Sequence, residues 1–457
     1  MASETKSAQG LERRLGLFPL TNIVVANMVG AGIFTTSGLL MKDLGNPLVM
    51  LGLWILGGAV ALCGALSYGE LGAAIPHAGG EYIFLSKLYH PIVGFLSGWV
   101  SFFVGFSAPI AASAIGFSEY FTPAFPGLLH LGIFGNAEAE ILKKIYACLI
   151  VITFTLIHMR GIEFGSKVQN LLTVLKVGLI VGLVAAAFFS GKGTMAHLFQ
   201  GTSYKFDFGG WKTAGLSLMW IMFAYSGWNA SAYIGSEVKN PSRNLPRSLI
   251  LGTGIVILLY MGLNLFYIYA VAPADMSGVI SIGRLAAGNL FGKSFENVLS
   301  ILISFALFSS LSAFIILGPR VYYSMAKDKC FFKFASDVHP VHKVPAKSVL
   351  LQGLIAVVIL IFRLDQILTF MGFSLGIFPI LAVIGVFKVR RSGMSPYKMP
   401  GYPVVPIIYI LAAIMILILG FLRSPGPSSI AILTVVVGVP AYFLFKKRYE
   451  KGEKTCA

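Results

Sequence analysis

Apolar runs of about 20 residues recur along the chain, the length needed to cross the hydrocarbon core of a bilayer. Residues 168–190, 248–271 and 407–422 are examples. A soluble domain carries about 25% charged residues, whereas this chain has 12%, against 56% hydrophobic. No water-soluble fold of 457 residues hides that much apolar surface. The 51 glycines suit helices packed closely in a membrane.

Run length divides the chain into about twelve spanning segments, at 19–40, 47–70, 85–121, 144–159, 168–190, 211–236, 247–271, 296–326, 347–364, 366–388, 403–422 and 428–445. The expectation is an all-α polytopic membrane protein. The third and eighth segments exceed one span, which predicts tilt or extension into water. The net charge of +17 would suit a nucleic-acid binder, but the basic residues lie in short loops between apolar runs. On alternate loops one set of Lys and Arg outnumbers the other more than two to one. That bias places both termini in the cytoplasm, including a polar tail over 1–18 and a basic tail over 446–457. The first ten residues lack the apolar core of a signal peptide.

Two segments are interrupted near their middles by small residues. The first contains Gly30-Ala31-Gly32-Ile33-Phe34 and the sixth Ser226-Gly227-Trp228-Asn229. Five segments follow from each break, and an odd count inverts the second set relative to the first. The chain then reads as a 5+5 inverted repeat with discontinuous helices 1 and 6, over residues 19–190 and 211–388, with two extra helices over 403–445. Matched interruptions of this kind point to a transporter's binding site.

Unwinding at the first break frees backbone groups that lipid cannot satisfy. The half-helix that starts near Ile33 turns its positive end on the gap, which suits an α-carboxylate. The half-helix that ends near Met28 presents carbonyls to an α-ammonium. In the sixth segment the carbonyls near Phe223, Ala224 and Ser226 repeat the acceptor role. Neither break holds a charged residue, which fits a net-neutral head group.

These motifs carry a resemblance. Gly30-Ala31-Gly32-Ile33-Phe34 resembles the G-x-G-I-F signature of the amino acid–polyamine–organocation (APC) transporters. Phe223-Ala224-Tyr225-Ser226-Gly227-Trp228-Asn229 is similar to the F-x-Y-x-G-W-N run of their L-type amino-acid branch, and bacterial amino acid permeases share the pattern. Gly79-Gly80-Glu81-Tyr82, Gly98-Trp99, Arg320 and the loop Glu237 to Arg247 also fit. The resemblance implies carboxylate binding at Ala31, Gly32 and Ile33, with Gly30 also part of the substrate-binding site. It implies ammonium binding at the carbonyls of Met28, Phe223 and Ser226, and Phe223 as an aromatic lid with Ala224, Gly227, Trp228 and Asn229 beside it. Ala31 stands where many members have a hydroxyl, and Ser226 where L-type members usually have Gly. Both differences bear on side-chain specificity. Animal L-type proteins join a heavy subunit through a cysteine in the third-to-fourth loop; residues 122–144 contain none, so no disulfide-linked partner is expected.

Lys176 lies inside an apolar stretch, at least about eight residues from either end of its span, too deep for its stem to reach water. An ionisable residue there is functional by default. Its expected partners are the carbonyls of Ala26 and Val29 and the hydroxyls of Ser309 and Ser310. In family members with lysine here, the ammonium resembles a tethered replacement for a sodium ion, so sodium-independent transport is expected. Lys176 is also a candidate proton carrier, and the resemblance leaves both amino-acid exchange and proton-coupled symport open as the mode of transport. Glu70 and Glu81 are candidates for gating pairs, while Glu237 and Arg320 read as interfacial anchors.

The alternatives are a polyamine or cationic amino-acid carrier of the same fold, or a channel or receptor. A channel would want a filter repeat or a charged ring, and a receptor would not need two matched breaks. An enzyme would show zinc spacing, a phosphate loop or a hydrolase elbow; the sequence has none, and no cofactor is expected. Cys63, Cys148, Cys330 and Cys456 form no metal or disulfide pattern.

Overall fold

The computed structural model describes residues 13, 15–125, 127, 138–159, 162–339 and 344–454. Most of the tail 1–18, residues 126 and 128–137 of the loop 122–144 and the end of the tail 446–457 lie outside the described residues.

Among the described residues the fold is helical, with two isolated β-bridges and no strand. The helices are α1 (Leu17–Met28), α2 (Ala31–Leu44), α3 (Pro47–Ala74), α4 (Glu81–Leu88), α5 (Pro91–Val100), α6 (Ala108–Phe121), α7 (Glu138–His158), α8 (Ile162–Ser190) and α9 (Phe208–Ala224). There follow α10 (Pro241–Ala270), α11 (Pro273–Met276), α12 (Ile282–Phe291), α13 (Lys293–Lys327), α14 (Ala346–Ile359), α15 (Leu364–Ser392), α16 (Val404–Arg423) and α17 (Pro425–Lys454). Among the described residues ten helical stretches are long and apolar enough to cross a bilayer. The sixth and ninth expected segments appear as the shorter helices α9 and α14.

Local chemistry sets the boundaries. Gly45 closes α2 in the left-handed conformation, φ +61°. Asn46 then caps α3 by accepting from the Val49 amide, with Pro47 at the first helical position. His90-Pro91 likewise starts a new helix. The third span therefore begins at Pro91 instead of residue 85, and Glu81–Leu88 is a separate loop helix. Between α5 and α6, residues Ser101–Ser107 wind as a π-helix, and the Ser107 hydroxyl donates to the Phe102 carbonyl five residues back.

Burial sorts the spans. In an apolar 18-residue stretch of the first, Leu17–Leu44, 89% of the residues are buried, against 22% in such a stretch of the last, Pro425–Tyr449. The interrupted helix thus sits at the centre of the bundle, packed on α9, α10, α13 and α8, and α17 faces outward. An apolar residue facing lipid loses nothing, so α7, α8, α16 and α17 carry exposed Leu, Ile, Val and Phe as a lipid-facing wall.

Candidate functional site

The first break is two residues long. α1 ends at Met28, and Gly30 stands in extended conformation before α2, with no side chain capping the new helix. The first amide groups of α2 therefore have neither a helical partner nor a cap. Gly30, Ala31 and Gly32 line a small cavity with Asn27, Met28, Ser113, Ala224 and Ser226. No charged side chain lines it. The Ile33 side chain is fully buried and lines neither cavity described here.

The orphan carbonyls at the end of α1 are taken up by two residues far away in sequence. Lys176 of α8, 1% exposed, donates to the Val29 carbonyl at 2.5 Å and more loosely to that of Ala26 at 3.5 Å. Its ammonium thus sits at the negative end of a helix. Ser309 and Ser310 make no hydrogen bond to it. The Ser309 hydroxyl instead meets Gln169 Nε2 at 3.0 Å and Thr173 at 3.5 Å, on the same stripe of α8 as Lys176 but one to two turns before it. The Ser310 hydroxyl lies against Gly30 without a partner and lines the small cavity.

Tyr260 of α10 is the second residue. Its hydroxyl donates to the Met28 carbonyl at 2.5 Å and the Ala224 carbonyl at 2.8 Å. One proton shared between two carbonyls ties the ends of α1 and α9 together. Sequence reading missed Tyr260, since one tyrosine in an apolar run carries no signal.

The second break differs. α9 stops at Ala224, Gly227 takes φ +99°, and the chain continues in the 3-10 turns Ala230–Tyr233 and Gly235–Glu237. The Phe223 carbonyl already accepts from the Ser226 amide at 2.8 Å, which leaves one lone pair. The two breaks touch. A Cβ on Gly32 would lie 2.5 Å from the Ala224 Cα, and one on Gly227 would lie 2.7 Å from the Asn27 Cβ. Glycine at these two positions is what lets the backbones meet.

Phe223, Ser226, Asn27 and Phe314 separate the small cavity from a larger one of ≈ 90 Å³. Its wall is mostly apolar: Phe106, Met222, Leu317, Leu375, Ile416 and Leu417. Trp228 lines it but packs chiefly on Tyr68, ring centroids 4.7 Å apart, and Tyr409, 5.8 Å. Asn229 lines it and donates to Glu81 Oε1 at 2.7 Å. Phe106, Phe314 and Leu375 were not foreseen, because helices apolar on every side do not mark their inner face.

Of the charged residues, Glu70 pairs with Arg390 and accepts the Met399 amide at 2.9 Å. Glu237 and Arg320 are not interfacial anchors. They face each other at 3.8 Å, with side chains 16% and 8% exposed. Among the described residues no cluster of His, Cys, Asp and Glu fits a metal ion.

A family model described as amino acid permease matches residues 15–440. The chain belongs to the amino acid permease family. It is similar to the serine/threonine exchanger SteT of Bacillus subtilis (strain 168), with 28% identity over 449 residues, covering 96% of this chain and 98% of that protein. It is 24% identical to the human Asc-type amino acid transporter 1, over 95% of this chain and 82% of that one. It is 25% identical to the mouse large neutral amino acids transporter small subunit 2, over 97% and 83%. This permease is therefore a multi-span amino-acid transporter and not an enzyme. The two breaks lie inside the matched region, and so does Lys176.

Proposed function

We propose that this permease is a sodium-independent secondary carrier of neutral L-amino acids, working by alternating access. One observation carries the reading: the free amide end of α2 faces the carbonyl ends of α1 and α9 across a cradle that no charged side chain lines. A zwitterion supplies an acceptor for the free amides and a donor for the second lone pairs of the carbonyls, at no net charge. Its carboxylate fits the amides of Ala31, Gly32 and Ile33. Its ammonium fits the carbonyls of Met28, Phe223 and Ser226, with Phe223 as the lid between head group and side-chain cavity. The apolar wall and ≈ 90 Å³ of that cavity favour a small uncharged side chain. The SteT name, a serine/threonine exchanger, agrees with that size. The Lys176 ammonium at the end of α1 occupies the place of a coupling cation, which supports transport without sodium.

In this reading residues 19–190 and 211–388 are the two inverted repeats, and 403–445 lies outside them. Alternating access rocks the broken helices against the rest. The protein sits in the cell membrane with both termini cytoplasmic, and no heavy subunit is disulfide-linked to it.

Counterflow in liposomes tests the reading. Labelled L-serine or L-threonine should accumulate against trapped unlabelled amino acid, equally well when sodium is replaced by choline. Strict sodium dependence would remove the role given to Lys176. Absence of counterflow with every neutral amino acid would remove the cargo.

A further inference from the structure

The larger cavity ends on a carboxyl group that the carrier reading leaves without a task. Glu81 opens α4, between the second and third spans, and its side chain is only 6% exposed. Its Oε1 accepts from Asn229 Nδ2 at 2.7 Å and from the Tyr233 hydroxyl at 3.3 Å. Ser97 of α5, Tyr68 of α3 and Tyr409 of α16 face it with further hydroxyls.

Every one of these groups is neutral. The nearby charges are engaged elsewhere. Asp328, beyond α13, takes the Tyr82 hydroxyl at 2.5 Å, and Arg320 of α13 faces Glu237. On α15, Lys388 lies over the Tyr89 ring and donates to the Leu88 carbonyl, while Arg390 pairs with Glu70. Lys87 sits in the last turn of α4, at the opposite end from Glu81. Among the described residues no cation comes within ion-pair distance of Glu81.

A buried carboxylate without a cation costs several kcal/mol, and such a group takes up a proton or a cation instead. The cavity gives a cation no second carboxylate, and its remaining wall is mainly aromatic and aliphatic. A proton is the ligand that fits. The donors to Glu81 also belong to the stretch that follows the second break. A bridge between Ala78 and Ile234, and the Gly79 amide bonded to the Tyr233 carbonyl at 2.9 Å, fasten the loop before Glu81 to that same stretch. Moving the stretch away strips Glu81 of the donors that favour its ionised form.

We propose that Glu81 is a proton-binding site, loaded and emptied as Asn229 and the Ala230–Tyr233 turn move, which couples amino-acid transport to a proton gradient. The proposal rests on the carrier reading above. The proton enters from water on one face and returns to water on the other, and no other reactant is consumed. Burial raises the Glu81 carboxyl to about 7 against the pull of its donors. The site is therefore loaded below neutral pH and empty above it.

Full-length protein in liposomes holding a pH-sensitive dye tests this, with L-serine added at equal pH on both sides. The wild-type protein should show a dye response that follows serine uptake, and Glu81→Gln should fall to the protein-free background. Uptake by Glu81→Gln should be flat between about pH 6 and pH 8, one unit either side of neutrality. Wild-type counterflow without any dye response overturns the proton site and leaves the carrier standing, whereas missing counterflow overturns the carrier itself. A Glu81→Gln protein that moves protons like the wild type also overturns the site. If that variant is inactive, Tyr233→Phe decides: losing one donor should move the midpoint of the pH profile upward by about 0.5–1 unit. An unmoved midpoint counts against the proposal.

Discussion

The two breaks share small residues and a central position, yet they are built for different work. The first separates two true helix ends by two residues. It offers amides on one side and carbonyls on the other, and Lys176 and Tyr260 hold its carbonyls in place. The second has one helix end only. Beyond Ala224 the chain runs through Gly227 at φ +99° into 3-10 turns whose polar side chains close on Glu81. Short 3-10 turns exchange hydrogen bonds more easily than an α-helix does. The difference teaches that a matched pair of sequence interruptions need not give matched structures: the first sets two held helix ends across a two-residue gap, and the second sets one helix end before a run of 3-10 turns.

Gly32→Ala should have the largest effect, because it forces the two breaks apart. The new Cβ would press on the Ala224 backbone, which cannot swing aside. A displacement of about 1 Å at a binding site costs about 100-fold in activity, so uptake should fall by that factor. Near-normal uptake would break the picture of a fixed first break.

Tyr260→Phe comes next and removes the one group common to both breaks. It strands the buried carbonyls of Met28 and Ala224, at about 1–3 kcal/mol each. The melting temperature of the solubilised protein should drop, and uptake should fall by about tenfold, since 1.4 kcal/mol is one decade. A variant as stable and active as the wild type would show that the breaks are held together by packing alone.

Gly30→Ala sharpens the comparison with the smallest effect. Its Cβ would meet the Ser310 hydroxyl, the tip of a small side chain instead of a backbone. Overpacking of this kind costs about 1–3 kcal/mol. Adding Ser310→Ala should restore most of the uptake, leaving the new Cβ 3.2 Å from that of residue 310. Failure of the double variant to recover would place the Gly30 requirement in the backbone and not in the contact.

Much of this was legible beforehand, for identifiable reasons. A charge inside an apolar run is conspicuous, and a helix end must place its carbonyls somewhere. Lys176 could therefore be matched with Ala26 and Val29. The breaks were visible because Gly-rich clusters stand out in apolar spans. The pairing of Ser309 with Gln169, the Glu237–Arg320 contact and the start of the third span at Pro91 were not legible. Neither was the contrast between Glu70, which has an arginine, and Glu81, which has only neutral donors.

The sequence by itself determined that the chain lives in a bilayer, where it is interrupted and that its cradle is neutral. Each of those follows from local composition and from the need to satisfy backbone groups in lipid. The tertiary structure alone decided which carbonyl receives which donor, which helix faces line the cavity and which acid is left without a cation. Those partners lie as far apart as Met28 and Tyr260, and a helix apolar on all sides carries no periodic mark of the side that turns inward.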